Sequence, residues 1–158
     1  MVFVDTNYFL RFLIEDNKEQ SKIAKELFLE SARGKQQLIT STITVFEIYW
    51  VFKSYYRKSK TEVVGILQKV LGMNFIRLDE RDLLQAALNL FKAQNLSLED
   101  CYNLTFALNN QTKIFKTFDV KLAGLFSSEK ESRWEEFEMT HSKKKTKKEK
   151  TSKLENIN

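Results

Sequence analysis

Four carboxylates, Asp5, Glu47, Asp100 and Asp119, stand where the neighbouring sequence is poor company for a charge. Asp5 ends the apolar run Met1-Val2-Phe3-Val4. Glu47 lies among Ile43, Val45, Phe46, Ile48, Tyr49, Trp50 and Val51. Asp100 opens the helical stretch Cys101 to Leu108, and Asp119 follows Ile114-Phe115-Lys116-Thr117-Phe118. A carboxylate taken out of water is costly unless it is paired or holds a cation. Several gathered at one place repel one another and demand a metal ion. Mg2+ and Mn2+ prefer hard oxygen ligands, and Mg2+ keeps several of its waters, so a few carboxylates suffice. Such a site suits phosphodiester hydrolysis. A metal-activated water attacks phosphorus in line, and the metal stabilises the leaving alkoxide.

Each acid also has an ordinary role open to it. Asp119 can cap a helix beginning at Val120. Asp100 can sit at a helix N-terminus because the dipole favours it there. Asp5 can be a turn residue, and Glu47 can pair with Lys53 or Arg11. Glu47 is the hardest to explain this way, because helical periodicity puts it among large apolar side chains.

The elements around these residues alternate. Met1 to Val4 reads as a buried strand, and Asn7 to Ile14 as a helix. Ile23, Ala24, Leu27 and Phe28 make a helical stripe in Ser21 to Ala32, with Gly34 as its stop. Leu38-Ile39-Thr40 is a second strand. Ser41 or Thr42 heads an apolar helix to about Tyr56, and Thr61 to Leu71 forms another, ending near Gly72. Phe75 to Leu78 is a third strand, followed by a helix capped by Asp79. Ser97-Leu98-Glu99-Asp100 has a capping-box pattern. Lys113 to Thr117 is predicted as a fourth strand, Val120 to Phe126 as a short helix, and Phe137 to Met139 as a marginal edge strand. Strands alternating with helices imply a parallel sheet covered on both faces, with its ligand crevice beyond the carboxyl ends of the strands. Asp5 and Asp119 would both emerge at that edge.

The chain of 158 residues suits one α/β domain with one core. It has no proline and four glycines, which favours long helices over an all-β fold. One cysteine and one histidine exclude an internal disulfide and a Cys/His zinc cluster. We expect a soluble, cytoplasmic protein, since neither a signal-peptide pattern nor a long apolar span is evident. Cys101 reads as a small buried residue, and His141 lies too far along the chain to join the site. The net charge of +5 is misleading: residues 141–158 hold seven lysines and two glutamates, so the remainder is neutral. We therefore divide the chain into a domain over residues 1–139 and a Lys-rich tail over 140–158, expected to be disordered. The tail either adds non-specific RNA affinity or only solubilises.

Four segments together carry a family resemblance. VDTNYFLRFL resembles the opening strand and Asp-Thr-Asn of PIN-domain ribonucleases, and TSTITVFEIYWVF their glutamate-bearing helix. LSLEDCYNLTFAL resembles the segment with the third acid, and KTFDVKL the Thr-x-Asp at a strand end. The likeness extends to VapC-type toxins of toxin–antitoxin pairs and covers about residues 1–126. It implies a three-layer α/β/α sandwich with a central parallel sheet and Mg2+- or Mn2+-dependent cleavage of RNA. It assigns Asp5, Glu47, Asp100 and Asp119 as catalytic and metal-binding acids. Thr6, Asn7 and Thr117 match its polar positions. Of the acids, Asp5 and Asp100 would be the chief ligands, Asp119 a ligand or water orienter, and Glu47 a water-mediated ligand or base.

Asn7 and Arg11 are candidates for orienting ligand or substrate, against ordinary helix-end roles. Lys53, Arg57, Lys58 and Lys60 could follow an RNA backbone, and Tyr55 and Tyr56 could stack bases. The implied partners are an RNA substrate, a cognate antitoxin and a second copy of the chain. The alternatives are a housekeeping RNA-processing nuclease or a non-catalytic PIN interaction module. A phosphoaspartyl hydrolase fits less well, because Asp5-Thr6-Asn7 lacks the second aspartate of an Asp-x-Asp.

Overall fold

Three short parallel strands organise the amino-terminal part of the protein. The computed structural model describes residues 1–132. Strand β1 (Val2–Phe3) pairs with β2 (Leu38–Ile39), which pairs with β3 (Ile76–Arg77). Val2 is opposite Leu38, and Leu38 opposite Ile76. Pairing extends past these residues: Val4 N–H donates to Ile39 O at 2.9 Å, and Thr40 N–H to Arg77 O at 3.0 Å. Each strand leads at once into a helix: α1 (Thr6–Ile14), α3 (Thr42–Trp50) and α5 (Arg81–Ala93). All three helix N-termini therefore lie at one edge of the sheet, the edge at which such sheets bind ligands.

The intervening helices are α2 (Lys18–Ala32), α4 (Lys60–Leu71) and α6 (Leu98–Asn109). Helix α1 packs on α2 and α3, and α4 packs on α3 and α5. Local signals set their limits. Asn17 caps α2 by accepting Gln20 N–H at 3.0 Å. Gly34, beyond its end, takes a left-handed φ of 75°, which glycine adopts without a Cβ penalty. Ser59 and Glu62 close a capping box on α4. A hydrogen bond from Lys58, followed by those from the Ser59 hydroxyl and backbone N–H, holds the Glu62 carboxyl down at about 2.

The strongly apolar third helix is interrupted where the pattern predicted continuity. Residues Val51–Tyr55 form a π-helical segment, in which Tyr56 N–H donates to Val51 O at 3.0 Å. Such wide turns recur at functional sites.

The core lies between the sheet and these helices. Phe9, Leu38, Ile48, Tyr49, Leu67, Ile76, Leu84 and Leu104 are almost entirely withdrawn from solvent. Each such side chain contributes about 1.5–3 kcal/mol by leaving water. Phe28 gathers Phe9, Phe12 and Phe75 around it, with ring centroids 5.3, 5.1 and 6.4 Å away. Arg81 ties the turn before β3 by donating to the carbonyls of Leu71, Met73 and Ile76.

The chain divides into two compact units, Met1–Phe106 and the residues from Ala107 onward. Three expectations are corrected. Residues 113–117 form no strand, so Asp119 does not emerge from one. The helix after it, α7, is longer than expected and covers residues 120–132, with Phe115 stacked on Phe126 at 5.3 Å. Asp79 does not cap α5; Glu80 holds that position without a capping bond, and Asp79 pairs with Arg77 at 2.8 Å. The expected edge strand at Phe137–Met139, the domain boundary at 139, His141 and the Lys-rich tail lie outside the described residues.

Candidate active site

Asp5 sits two residues beyond β1, as the N-cap of α1. Its Oδ1 accepts the backbone N–H of Asn7 at 3.1 Å and of Tyr8 at 3.4 Å. Capping fixes this carboxylate at the sheet edge and leaves Oδ2 without a hydrogen-bond partner among the described residues. The adjacent Thr6 hydroxyl donates to Glu47 Oε2, reaching from the first turn of α1 to α3. Glu47 Oε1 has no hydrogen-bond partner among the described residues. Asp100 is held the same way by Ser97, whose Oγ accepts Asp100 N–H at 3.0 Å and donates to Oδ2 at 2.7 Å.

These three acids are not buried, which corrects the desolvation expectation. Asp5 and Glu47 are exposed and Asp100 is half-buried. Helix α3 turns Val45, Ile48 and Tyr49 inward, and Ile43, Glu47 and Trp50 outward. The apolar company of Glu47 in sequence is thus on the other face of its helix. Neither expected ion pair to Glu47 forms. Lys53 donates to Tyr49 Oη at 2.7 Å, and Arg11 is held by Asp16 at 2.7 Å and by Gln20 at 2.6 Å.

Asp119 belongs to the second unit and has the ordinary role open to it. Its Oδ1 accepts the N–H groups of Lys121 at 2.8 Å and Leu122 at 3.1 Å, capping α7. Thr117 Oγ1 in turn accepts Asp119 N–H at 3.1 Å. The Thr-x-Asp motif is therefore a self-contained turn and cap, with Asp119 exposed.

The polar helpers divide. Thr6 touches an acid, whereas the Asn7 side chain makes no hydrogen bond among the described residues. Arg11 is held through Nε by Gln20 and through Nη1 by Asp16. A surface groove of about 220 Å3 between α1 and α2 is lined by Asn7, Tyr8, Arg11 and Gln20, but by none of the four acids.

Two further glutamates reach opposite ends of α3. Glu80, at the end of the turn after β3, accepts Thr42 Oγ1 at 2.5 Å and Tyr102 Oη at 2.9 Å. Burial and this carboxylate push the Tyr102 phenol up to about 12, so it remains a donor. Glu99 accepts the indole N–H of Trp50. Glu80 was legible in principle, since it opens the helix after a parallel strand, as Asp5 does. Glu99 carries no signal apart from standing next to Asp100.

Among the described residues, no three His, Cys, Asp or Glu side chains assemble as a group able to hold a metal ion. The donor chemistry nevertheless suits a hydrated hard cation. Asp5, Glu47 and Asp100 are each tied through one oxygen, and the other has no hydrogen-bond partner among the described residues. Mg2+, which retains most of its waters, does not need a closed protein cage.

A parallel α/β unit with acids at the carboxyl edge of its sheet is an architecture suited to cation-assisted phosphate chemistry. The PIN-domain family model matches residues 2–125, and the chain belongs to that family. PIN domains are generally nucleases, and such nucleases typically use divalent metals. No curated protein matches the chain. No helix among the described residues is long and apolar enough to cross a membrane.

Proposed function

We propose that this PIN-domain protein is a Mg2+- or Mn2+-dependent endoribonuclease acting as the toxin of a VapC-type pair. The observation that carries the nuclease reading is the shared arrangement of Asp5, Glu47 and Asp100. Three carboxylates on three different helices are each oriented through one oxygen, with the second left open. A metal held by these residues would neutralise phosphate charge and raise the nucleophilicity of water. The chain's own contribution is orientation. The first turn of α1 holds Asp5, the Thr6 hydroxyl holds Glu47, and Ser97 holds Asp100. Glu47, exposed and on a helix interior, is suited to take a proton from the attacking water. Asp119 keeps its place in the proposed acidic set on the Thr-x-Asp motif alone.

The charge distribution supports a role for the metal. With the basic excess confined to residues 141–158, the domain offers phosphate no net positive charge of its own. The toxin role, a cognate antitoxin and a homodimer rest on the family resemblance. Exposed Tyr8, Ile23 and Leu29 on α1 and α2 suit a protein contact.

The deciding experiment is cleavage of RNA by the purified chain in Mg2+ or Mn2+, with EDTA and Asp5→Asn controls. Asn preserves the α1 cap and removes the charge. Metal-dependent cleavage that vanishes in Asp5→Asn is expected; equal cleavage by both proteins overturns the site. Growth arrest on expression, relieved by Asp5→Asn and by co-expression of a small partner encoded beside it, separates the toxin from a housekeeping nuclease.

A further inference from the structure

The outward face of α3 carries a feature that the acidic site does not explain. Trp50 is 61 % exposed, an unusual position for the largest side chain in a protein with a well-filled core. It is nevertheless anchored: its indole N–H donates to Glu99, the residue before Asp100. The only polar atom of the ring is therefore satisfied, and a flat face is left open to solvent. Glu47 lies one turn before Trp50 on α3, and Lys53 follows three residues after Trp50 in the π-helical segment. The exposed Lys53 ammonium spends one donor on Tyr49 Oη at 2.7 Å and rests over the Tyr49 ring at 5.0 Å. Two donors remain. The hydrogen bond to the Tyr49 hydroxyl, with a smaller contribution from Glu99, favours the charged form of Lys53 and raises its pKa. Proposed catalytic carboxylate, open aromatic face and fixed cation thus follow one another from α3 into the π-helical segment that continues it.

We propose that Trp50 and Lys53 form a nucleotide-binding pair for single-stranded RNA, with a base stacked on the Trp50 indole and a neighbouring phosphate at the Lys53 ammonium. The inference rests on the nuclease reading of the adjacent acids and adds how the strand is held beside them. Stacking on aromatic faces and cation contact with phosphate are the two recurring elements of single-strand recognition. A second copy of the chain is a poorer occupant. A two-fold contact over Ile43, Glu47 and Trp50 would bring Glu47 against its own equivalent, and burying two carboxylates together is unfavourable.

The test uses the full chain with Trp134→Phe, which leaves Trp50 as the sole indole. EDTA prevents turnover. A ten-nucleotide oligoadenylate and an abasic ribose-phosphate chain of equal length are titrated against it. Oligoadenylate is expected to quench Trp50 fluorescence, and the abasic chain is not. With affinities of both ligands read by isothermal titration calorimetry, which needs no indole, Trp50→Ala is expected to weaken oligoadenylate binding about tenfold, Trp50→Phe much less, and neither should alter abasic binding. Lys53→Ala should weaken both ligands alike and reduce the salt dependence by about one counterion. Circular dichroism confirms that each variant is folded, and Trp50→Leu, apolar but without an aromatic face, stands in if Trp50→Ala fails to fold. Equal oligoadenylate affinity in the parent and in folded Trp50→Ala or Trp50→Leu overturns the proposal. So does a change in sedimenting mass with RNA affinity unchanged, which would assign the face to a protein contact. Cleavage assays keep the two readings apart. Stacking without any metal-dependent cleavage overturns the nuclease alone, and cleavage with an unaltered KM in Trp50→Ala overturns the pair alone.

Discussion

Thr6 Oγ1 donates to Glu47 Oε2, joining the first turn of α1 to the middle of α3 across 41 positions of sequence. The hydroxyl fixes which oxygen of Glu47 stays open. Thr6→Val keeps the shape and removes the donor, so kcat on RNA in Mg2+ is expected to fall by about 10- to 100-fold. Thr6→Ser should recover most of the loss. An unchanged kcat in Thr6→Val would show that the contact does not orient a working group.

Asp119 distinguishes a cap from a catalytic acid. Asp119→Ala removes an acceptor for Lys121 and Leu122 N–H and should cost about 1 kcal/mol, read as a lower urea midpoint. Asp119→Asn keeps the acceptor, so stability should hold within a few tenths of that value. The family motif predicts that Asp119→Asn loses cleavage all the same. Full activity in Asp119→Asn would leave Asp119 as a helix cap.

Arg81 acts on the fold, not on the chemistry. Its guanidinium reaches three carbonyls between the end of α4 and β3, and burial lowers its pKa. Lysine cannot reproduce that fork. Arg81→Lys should cost about 1–3 kcal/mol by leaving buried carbonyls unpaired. Equilibrium urea unfolding would show this as a lower midpoint at an unchanged slope.

Cys101 is fully buried on α6, and burial pushes its thiol up to about 11. The unfolded chain, with a thiol near 9.0, therefore loses this proton first as pH rises. Stability should consequently fall as pH rises from the unfolded value toward the folded one. At neutral pH the native thiol should resist alkylation, and urea should expose it. Prompt labelling of the native protein would contradict this burial.

The acids themselves were legible from residue type, order and setting, but the reason for their visibility was partly wrong. Glu47 drew notice because Val45, Phe46, Ile48 and Tyr49 surround it in sequence. Helical geometry sends Val45, Ile48 and Tyr49 inward and Glu47 outward, so sequence neighbours were not spatial ones. The fourth strand shows a related limit. Ile114 to Thr117 has strand-like residues, yet a strand exists only where a neighbour pairs with it, and residues 113–117 form none. The π-helical turn at Val51–Tyr55 had no signal that separated it from continuous α-helix.

What the sequence determined by itself was local and periodic. It specified the three strands, the cap at Ser97, the stops at Gly34 and Gly72, and the oxygen-only donor set that excludes a Cys/His zinc site. These follow from backbone preference and side-chain chemistry acting over a few residues. The tertiary structure alone decided which groups meet across long separations. Thr6 meets Glu47 and Thr42 meets Glu80, because parallel pairing of β1, β2 and β3 brings the helices that follow them to one edge, and the packing of α6 adds Tyr102 to Glu80 and Glu99 to Trp50. No local pattern encodes those contacts. They depend on burying the shared core beneath the sheet, which fixes the helices relative to one another and leaves their polar ends to find partners.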